Sequence, residues 1–577
     1  MRYIILNILL LLHFTNYAQD YFPKNDGVKQ NFKNYTAFTN ATVYVSSTQK
    51  IEKCTLLIKE DKIIDVGIAV IIPKNAQVID ATGKTIYASF IDLFSEFGIS
   101  KPQKKSSNNS NPQYDSERTG YYWNDHIKAD FNANENINYD EKTAKELRDI
   151  GFGTVISHLN DGVIAGTGLL WTLNDSNNNA VRILNPKISQ HFTFNRSSYS
   201  RQSYPSSLMG SMALLRQFYH DAKWYEQGSS KTKDFSLEAF NTNKKLIQIF
   251  NAGDKLNSLR AKKIGGEFNI NYIIKGNGTE FERIEEIKKT NATFIISLKF
   301  PEPYDVSDIY LTENIALGDL KMWNQAPFNL KVLAENNITF SITAADLMNV
   351  KDFLPNLRKA VLSGLSPQKA LEALTEVPAK LINQNDKLGT LKKGALANFM
   401  IVSGDIFDEK STIQENWVQG NRHLIEKNIS NLIKGDYDLL VENTKYDLKI
   451  TGENNKFESK IKQNNTEHGS VLNYNQPWIS LTIKSTDTIN PKFTRLSGMF
   501  KDGILQGKAF LENGNETTWN ATKKAIQEPI KLEVKPEVKI PKMLPVTFPN
   551  IAYGNIEKPK PQTILIKNAT IWTGEKE

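Results

Sequence analysis

Residues 77–96 read QVIDATGKTIYASFIDLFSE, and the character of the chain changes within this stretch. Before it, residues 36–84 carry alternating runs rich in β-branched residues, separated by turn signals such as Glu60-Asp61. After it, up to residue 386, short apolar strands alternate with helical patterns. This alternation predicts a parallel α/β domain, and a closed (β/α)8 barrel over residues 85–386 is the candidate of matching size.

The elements predicted within the barrel are short. The strands are expected at residues 86–93, 154–157, 273–274, 294–298 and 339–343. The helices are expected at residues 141–150, 208–222, 236–251, 282–290 and 353–362.

Three further regions follow the barrel. Residues 387–425 return to short strands, and neither they nor residues 36–84 hold enough strands to bury a face alone, so we expect the two to form one discontinuous small β domain. Residues 434–525 alternate apolar and polar side chains between Gly/Asn turns, which predicts an antiparallel β module. Residues 526–562 are rich in proline and indicate an extended linker.

The N-terminus has the features of a targeting segment. It reads MRYIILNILLLLHF, with an early arginine and an apolar run too short to span a bilayer. A signal peptide over residues 1–18, cleaved after Ala18, fits best and predicts export to the periplasm or the medium. The alternative is a buried N-terminal helix.

Composition excludes several classes of protein. The net charge is only +8, from 71 basic and 63 acidic residues, and the chain has no block of lysine and arginine, so a nucleic-acid partner is not indicated. The single cysteine, Cys54, excludes a disulfide framework and a cysteine-based zinc site. No later stretch is long enough for a membrane-spanning helix. None of these observations excludes a small-molecule substrate.

A short repeat links the two ends of the chain. Residues 36–44 read TAFTNATVY and residues 563–572 read TILIKNATIW, sharing Asn-Ala-Thr followed by a β-branched and an aromatic residue. The first copy opens the α/β unit. The second copy predicts the start of a second, similar unit at residues 563–577, which the first unit would contact. The alternative is a C-terminal strand that completes the β module.

Two segments resemble the amidohydrolase superfamily. Residues 40–92, with IDATGK at 79–84, are similar to its opening segment, and residues 364–420, with LGTLKKG at 388–394, to its closing segment. GFGTV at 151–155 and DGVIAGTG at 161–168 resemble its imidazolonepropionase-like branch. The resemblance implies a TIM-type barrel with a small β domain. It also implies hydrolysis of carbon–nitrogen bonds other than peptide bonds, assisted by a divalent metal such as zinc.

The resemblance also implies where the metal ligands stand, and here those positions are altered. The family's His-x-His pair after Ile-Asp falls on Phe94 and Glu96. Its late-strand aspartate falls on Ala344, with Asp346 two residues on. Residues 270–276 supply no histidine. The family's metal site is therefore expected to be degenerate, with no metal or other cofactor held by this segment.

The remaining candidates for chemistry are few. His158 follows a predicted strand and is expected at the barrel mouth. Glu96, His158 and Asp346 form the only catalytic set that the sequence offers, although a hydrogen-bonded histidine and paired carboxylates are the structural alternatives. The other barrel histidines, His126 and His191 among them, fall in predicted loop or helical contexts. No His-x-His spacing and no Gly-x-Ser-x-Gly elbow occur.

These observations leave three functional hypotheses. In the first, the protein is an exported hydrolase of carbon–nitrogen bonds, with catalysis in a second unit beyond residue 577 and this segment a metal-free pseudo-enzyme half. In the second, the chain is a non-catalytic exported binding or scaffold protein. In the third, residual hydrolysis uses Glu96, His158 and Asp346.

Overall fold

The computed structural model describes residues 35–102, 118, 120–228, 230–425, 433–453, 456–464, 466–475, 478–487, 490–501, 504–524 and 541–575. The predicted signal peptide lies outside these described residues.

The strands form three sheets within the described part of the chain. They are β1 Tyr35–Tyr44, β2 Lys50–Lys59, β3 Lys62–Gly67, β4 Gln77–Asp80, β5 Thr85–Ala88, β6 Phe90–Ser95, β7 Phe152–Ser157, β8 Ile164–Thr172, β9 Ile183–Thr193, β10 Ile247–Gly253, β11 Tyr272–Gly276, β12 Thr293–Ser297, β13 Phe340–Thr343, β14 Phe399–Val402, β15 Ile413–Val418, β16 Asn421–Leu424, β17 Gly435–Val441, β18 Thr444–Glu453, β19 Lys456–Gln463, β20 Thr466–His468, β21 Ser470–Asn475, β22 Trp478–Lys484, β23 Phe493–Lys501, β24 Ile504–Phe510 and β25 Glu516–Lys523.

The α-helices lie between residues 141 and 381. They are α1 Glu141–Asp149, α2 Asn179–Arg182, α3 Leu208–Glu226, α4 Phe235–Thr242, α5 Lys255–Glu267, α6 Ile284–Lys288, α7 Ile309–Glu313, α8 Leu317–Gln325, α9 Asn329–Glu335, α10 Phe353–Leu362, α11 Pro367–Leu374 and α12 Glu376–Leu381.

The first sheet joins two distant parts of the sequence. Its strand order is β16-β15-β14-β5-β1-β2-β3, with β4 paired to β1. The junction is the antiparallel pair β5–β14, in which Ala88 lies opposite Phe399. Aromatic rings from both parts meet in its core, where the Phe38 ring centroid lies 5.2 Å from that of Phe399 and 5.1 Å from that of Trp417.

The second sheet is a nearly closed barrel of eight strands. Its order is β13-β12-β11-β10-β9-β8-β7-β6. The edge strands approach each other, because Thr343 Oγ1 donates to Phe94 O at 3.1 Å and Ala344 N donates to Asp92 Oδ2 at 3.0 Å. A large apolar cluster, which includes Phe218 of α3 and Leu357 of α10, packs helices against the sheet. The predicted mixed α/β class is confirmed.

The prediction of a regular (β/α)8 barrel is wrong at β8. This strand runs antiparallel to both of its neighbours, β7 and β9. Only residues 158–163 join β7 to β8, whereas a crossover between parallel strands needs a dozen or more residues. The short connection therefore forces β8 to return alongside β7 in the opposite direction, and no helix follows β7.

Two further element predictions differ from the structure. The single strand expected at residues 86–93 is divided at Ser89, so that β5 belongs to the first sheet and β6 to the barrel. The helix expected at residues 236–251 ends at Thr242, and Ile247–Gly253 is the barrel strand β10. An apolar run such as LIQIF at 246–250 fits a helix or a buried strand equally well from its periodicity.

The third sheet confirms a separate antiparallel β module and closes on itself. Consecutive strands pair with each other from β17 to β20 and from β21 to β25, and β25 pairs back with β17. Strands β20 and β21 are consecutive, with Gly469 between them; the first pairs with β19 and the second with β22. The module is thus an up-and-down barrel, and it has an apolar core of its own.

The predicted linker is only partly an extended connection. Described residues within it pack on α8: Asn324 Nδ2 donates to Lys542 O at 3.1 Å, Gln325 Nε2 donates to Leu544 O at 3.1 Å, and Lys321 Nζ donates to Ile551 O at 3.2 Å. These side-chain bonds to backbone carbonyls hold residues 542–551 against the barrel. That part of the linker prediction is therefore corrected.

Residues 563–575 contain no strand. Their apolar side chains are open to solvent, including Ile564 at 76% and Trp572 at 93% exposure. The alternative prediction, a strand that completes the β module, is therefore wrong for these described residues. Within the described ranges, no helix has the length and apolar character needed to cross a membrane.

Candidate functional site

The barrel mouth lies where the parallel strands end. The carboxyl ends of β6, β7 and β9–β13 meet at one end of the barrel, which is where barrel enzymes carry their chemistry. Register shows which side chains share the inner face, since paired residues face the same way: His191 lies opposite Ile249, and Lys275 and Ser341 both lie opposite Ile295. At this level of the barrel, the inner face therefore places isoleucines beside polar groups.

Phe94 occupies the first of the two positions where the resemblance implies a ligand. Its side chain is buried, and its ring contacts two histidines: the centroids lie 4.4 Å from His158 and 6.0 Å from His191. A phenyl ring offers no lone pair to a metal. Phe94 instead fills space at the mouth with apolar atoms.

Glu96 occupies the second position and is directed elsewhere. Its side chain is 38% exposed, and its Oε1 lies 3.2 Å from Lys101 Nζ. Asp346, the other carboxylate of the predicted set, pairs with a different lysine, Lys275. The structure thus brings Phe94 and His158 together and gives the two carboxylates separate partners.

His158 and His191 form a stacked pair. Their rings are 3.6 Å apart between centroids and 6° from parallel, and both side chains are buried. Burial lowers the pKa of His158 to about 3, and burial together with the neighbouring His158 lowers the pKa of His191 well below its ordinary value. Both rings are therefore neutral near pH 7. The predicted loop or helical context of His191 is wrong, since it lies in β9.

The stacking restricts what these two rings can hold. A histidine lone pair lies in the plane of its ring, so two parallel rings cannot both point at one ion between them. His191 Nε2 lies 2.8 Å from Ser189 Oγ, whereas both ring nitrogens of His158 lack a hydrogen-bond partner among the described residues. His158 is held by its backbone, which donates to Ser95 O at 3.0 Å, and by ring contacts.

Lys275 is the charged group at the centre of the mouth, and the sequence did not single it out. It lies near the end of β11, its side chain is 2% exposed, and it forms an ion pair with Asp346, which is 43% exposed. Its Nζ lies 5.8 Å from the centroid of the Phe94 ring. An ammonium group in this place repels a second cation and already uses the nearest carboxylate.

Asp92 joins the first barrel strand to the last. Its Oδ1 accepts from Phe94 N at 2.9 Å and its Oδ2 from Ala344 N at 3.0 Å. Burial raises the pKa of this carboxyl to about 6, although the hydrogen bonds it accepts favour the charged form. Ala344, at the position of the family's aspartate, thus contributes a backbone N–H that closes the barrel rather than an acid–base group.

A cavity of about 260 Å³, lined mainly by charged and polar residues, lies beside Leu159, which follows His158 after β7. Its charges are paired: Lys128 Nζ lies 2.5 Å from Asp161 Oδ2 and donates to Ser197 Oγ at 2.8 Å. The Lys128 ammonium and hydrogen bonds from two serines hold the pKa of Asp161 below its usual value in spite of burial. The cluster fixes the loops around the mouth.

These residues do not fit a divalent metal of the kind that the resemblance implies. A catalytic zinc needs three convergent nitrogen, sulfur or oxygen donors. The mouth presents a phenyl ring, two stacked imidazoles and a lysine already paired with Asp346. Within the described ranges, no group of three or more histidine, cysteine, aspartate or glutamate side chains is placed to hold an ion.

Comparison with known proteins supports the fold. The model of the amidohydrolase family matches residues 328–426, from the end of α8 to just beyond β16. The structure is similar to an amidohydrolase from Thermotoga maritima, with 19% identity over 67% of this chain and 99% of that one and a TM-score of 0.52. Comparison with curated protein sequences gives no match.

A more distant likeness has a TM-score of 0.41, too low to support an argument. It is to a β-aspartyl dipeptidase from Fervidobacterium islandicum AW-1, with 14% identity over 69% of this chain and 100% of that one. The expected resemblance to amidohydrolases is confirmed at the level of fold. The imidazolonepropionase-like branch stays a prediction.

Proposed function

We propose that this chain is an amidohydrolase-like unit that has lost metal-assisted hydrolysis and serves as the pseudo-enzyme half of an exported hydrolase of carbon–nitrogen bonds. Catalysis would lie in a second, similar unit that begins at residues 563–577. The observation that carries the proposal is the content of the mouth, where Phe94 and the Lys275–Asp346 ion pair lie where the family's resemblance implies a metal.

The repeat supports the second unit. In the first copy, Phe38, Ala41 and Val43 of β1 are fully buried in a sheet. The second copy carries apolar side chains at the positions of Phe38 and Val43, yet Ile566 is 70% and Ile571 is 71% exposed. A run of isoleucine, leucine and tryptophan in water is unfavourable, and pairing in a second small sheet would bury it as it buries β1.

The reaction class comes from the family likeness alone. Residues 328–426 match the amidohydrolase family model, and the similar Thermotoga maritima structure is an amidohydrolase. At 19% identity this likeness extends to the fold, so the substrate within the class of small carbon–nitrogen compounds remains for experiment.

A second candidate function is a non-catalytic exported binding protein. The observation that favours it is an open cavity in the β module, described below. In that case no second unit would be needed, and the barrel would act as a rigid support.

The test compares two proteins on one panel of N-acyl amino acids and cyclic amides, each supplied with zinc or manganese. One protein is this chain, and the other is the product of the gene extended past Glu577. We expect hydrolysis only by the longer protein, and no change in it for Glu96→Ala or His158→Ala. Hydrolysis by this chain alone, lost in His158→Ala, would instead support the third hypothesis.

The remaining outcomes also decide between the hypotheses. A reading frame that ends near Glu577, with no hydrolysis, favours the binding protein. Export is tested separately by mass spectrometry of the mature N-terminus, which we expect to begin after Ala18. An intact Met1 on cytoplasmic protein would contradict export.

A further inference from the structure

The β module carries an open cavity that the proposed hydrolase function does not use. The cavity has a volume of about 970 Å³ and is lined by strands β19 and β21–β24. An up-and-down barrel of about eight strands is wide enough either to be filled by its own side chains or to hold one small ligand. In this module, large side chains fill one part of the interior, and another part is open.

The filled part is explained by large side chains. Tyr437, Leu481 and Leu505 are fully buried in the module's core. Trp519 is also buried, and its Nε1 donates to Ser497 O at 3.1 Å, so its polar atom is satisfied. This region needs no ligand.

The open part lies along one inner row of the barrel. Register places Tyr474 opposite Ile479, Ile479 opposite Gly498, and Gly498 opposite Gly507. The two glycines contribute no side chain, and backbones approach closely there, since a Cβ at Gly507 would lie 2.0 Å from Ser497 O. The Trp519 ring covers the centre of this row, since a Cβ at Gly498 would lie 2.9 Å from Trp519 Cζ2, and the cavity is lined beside it by Tyr474 and Ile479.

The walls of this space are mainly apolar and aromatic. The lining includes the buried side chains Phe457, Leu472 and Ile479, with Trp478, 62% exposed, at the rim. The rings of Phe457 and Tyr474 meet edge to face with centroids 5.8 Å apart. Ligand cavities in proteins have volumes of about 300–1,000 Å³ and combine such walls with a few polar groups. The module matches this pattern.

Tyr474 supplies an unused polar group. Its hydroxyl is buried and lacks a hydrogen-bond partner among the described residues. A buried hydroxyl without a partner is costly, and such groups are normally paired with protein or water. A ligand with one hydrogen-bonding atom would complete it.

Charge at the cavity argues for a neutral ligand. Among the described lining residues, Lys508 is the one cation, and it is already paired with Glu516. The other charged lining residue is Glu458, whose side chain is exposed to water, so its charge is solvated without a counter-ion. We propose that the β module binds one neutral amphipathic molecule that carries an aromatic ring and a single hydrogen-bonding group, with Tyr474 as its polar contact.

The test uses the neutral fluorescent probe N-phenyl-1-naphthylamine, which has two aromatic systems and one N–H, titrated into the whole chain. We expect a saturable rise in fluorescence with one site per chain. Tyr474→Phe should weaken binding roughly fivefold, the factor that corresponds to one hydrogen bond. Tyr446→Phe is the matched control, because Tyr446 packs on the same core but does not line the cavity, and it should bind as the wild type does.

A second pair of variants tests the location by filling space. Leu472→Trp should reduce affinity more than tenfold, because Leu472 lines the cavity and is 8% exposed. Val471→Trp, on the next residue of β21 and 62% exposed, should leave affinity unchanged. Circular dichroism checks folding, and if Leu472→Trp does not fold, the two tyrosine variants decide.

Two results would overturn the proposal. One is the absence of saturable binding to the wild-type chain. The other is equal binding by Tyr474→Phe and Tyr446→Phe together with unchanged binding by folded Leu472→Trp, which would place the probe elsewhere, for example on the exposed residues 563–572. Neither result bears on the proposed hydrolase function, which rests on the other barrel.

Discussion

The two barrels of this chain differ in what their interiors hold. The α/β barrel has a recognisable family likeness, and its mouth is filled by Phe94, a stacked histidine pair and a lysine paired with aspartate. The β module lies outside the residues that the family model matches, and it has an open cavity of about 970 Å³ with a tyrosine hydroxyl that lacks a hydrogen-bond partner among the described residues. The α/β barrel thus has a filled mouth where its family likeness implies chemistry, whereas the β module has open space inside.

A barrel scaffold and the site at its mouth are therefore separable. The α/β barrel keeps strand pairing, an apolar helix layer and closure through Asp92, all of which concern stability. The positions where the family resemblance implies metal ligands carry residues that pack in the mouth or form an ion pair. Function follows the side chains at the mouth and not the sheet that supports them.

The largest effect is expected for the side chain that fills the mouth. Phe94→Ala should lower the free energy of unfolding by about 3–5 kcal/mol, because it removes a buried ring from between His158 and Lys275 and leaves a cavity. Phe510→Ala, at a ring that is 47% exposed, is the control and should cost about 1 kcal/mol or less. Guanidinium unfolding followed by near-ultraviolet circular dichroism measures both. Equal losses would show that Phe94 does not fill the mouth.

The Lys275–Asp346 pair should respond asymmetrically. Asp346→Asn leaves a buried ammonium without its partner and should cost about 1–3 kcal/mol, less than a fully buried pair because Asp346 is 43% exposed. The backbone is unaffected, since residue 346 has φ of 68°, which asparagine also tolerates. Lys275→Met removes the buried charge and leaves a carboxylate that reaches water, so stability should stay within about 1 kcal/mol of wild type.

A surface pair of the same chemistry serves as the control for this asymmetry. Glu96→Gln and Lys101→Met break an ion pair whose side chains are 38% and 54% exposed, and each should change stability by about 1 kcal/mol or less. If Lys275→Met proved as costly as Asp346→Asn, the lysine would be making a contribution that a buried methionine cannot replace.

His158 should make the barrel sensitive to acid. Its pKa is about 3 in the fold and near 6.5 when unfolded, so the unfolded chain binds the proton first as the pH falls. The stabilisation that comes from neutral His158 is fully present above pH 6.5. Below that pH, the free energy of unfolding declines by about 1.4 kcal/mol per pH unit, or roughly 2 kcal/mol at pH 5. Between pH 7 and pH 5, the free energy of unfolding should therefore fall by roughly 2 kcal/mol less in His158→Gln than in the wild type. His468→Gln, in the β module, is the control and should follow the wild type.

Much of the fold could be read from the sequence, because strands and helices leave periodic patterns. The alternating runs of residues 434–525 predict the β module, and residues 77–96 mark the entry into the α/β barrel. Strands β8, β9 and β10 escaped prediction. Strand β8 is glycine-rich at residues 166–168, and β10 has an apolar run that fits either element.

Less of the site could be read, because it depends on side chains far apart in sequence. Phe94 and Glu96 could be identified from their place after Ile-Asp, and His158 from its place after a strand. Lys275 and Asp346 are 71 residues apart, and nothing local indicates that they form an ion pair. The stacking of His158 on His191 likewise appears only when β7 and β9 enclose one space.

The measurement that tests the account most directly is the metal content of the whole chain, purified without chelator and determined by elemental analysis after dialysis against trace zinc and manganese. The account predicts substoichiometric metal, equal in wild type and in the variants His158→Ala, Asp346→Ala and the control His468→Ala. About one zinc, manganese or iron per chain, lost in His158→Ala or Asp346→Ala but kept in His468→Ala, would contradict it and restore the barrel mouth as a metal centre.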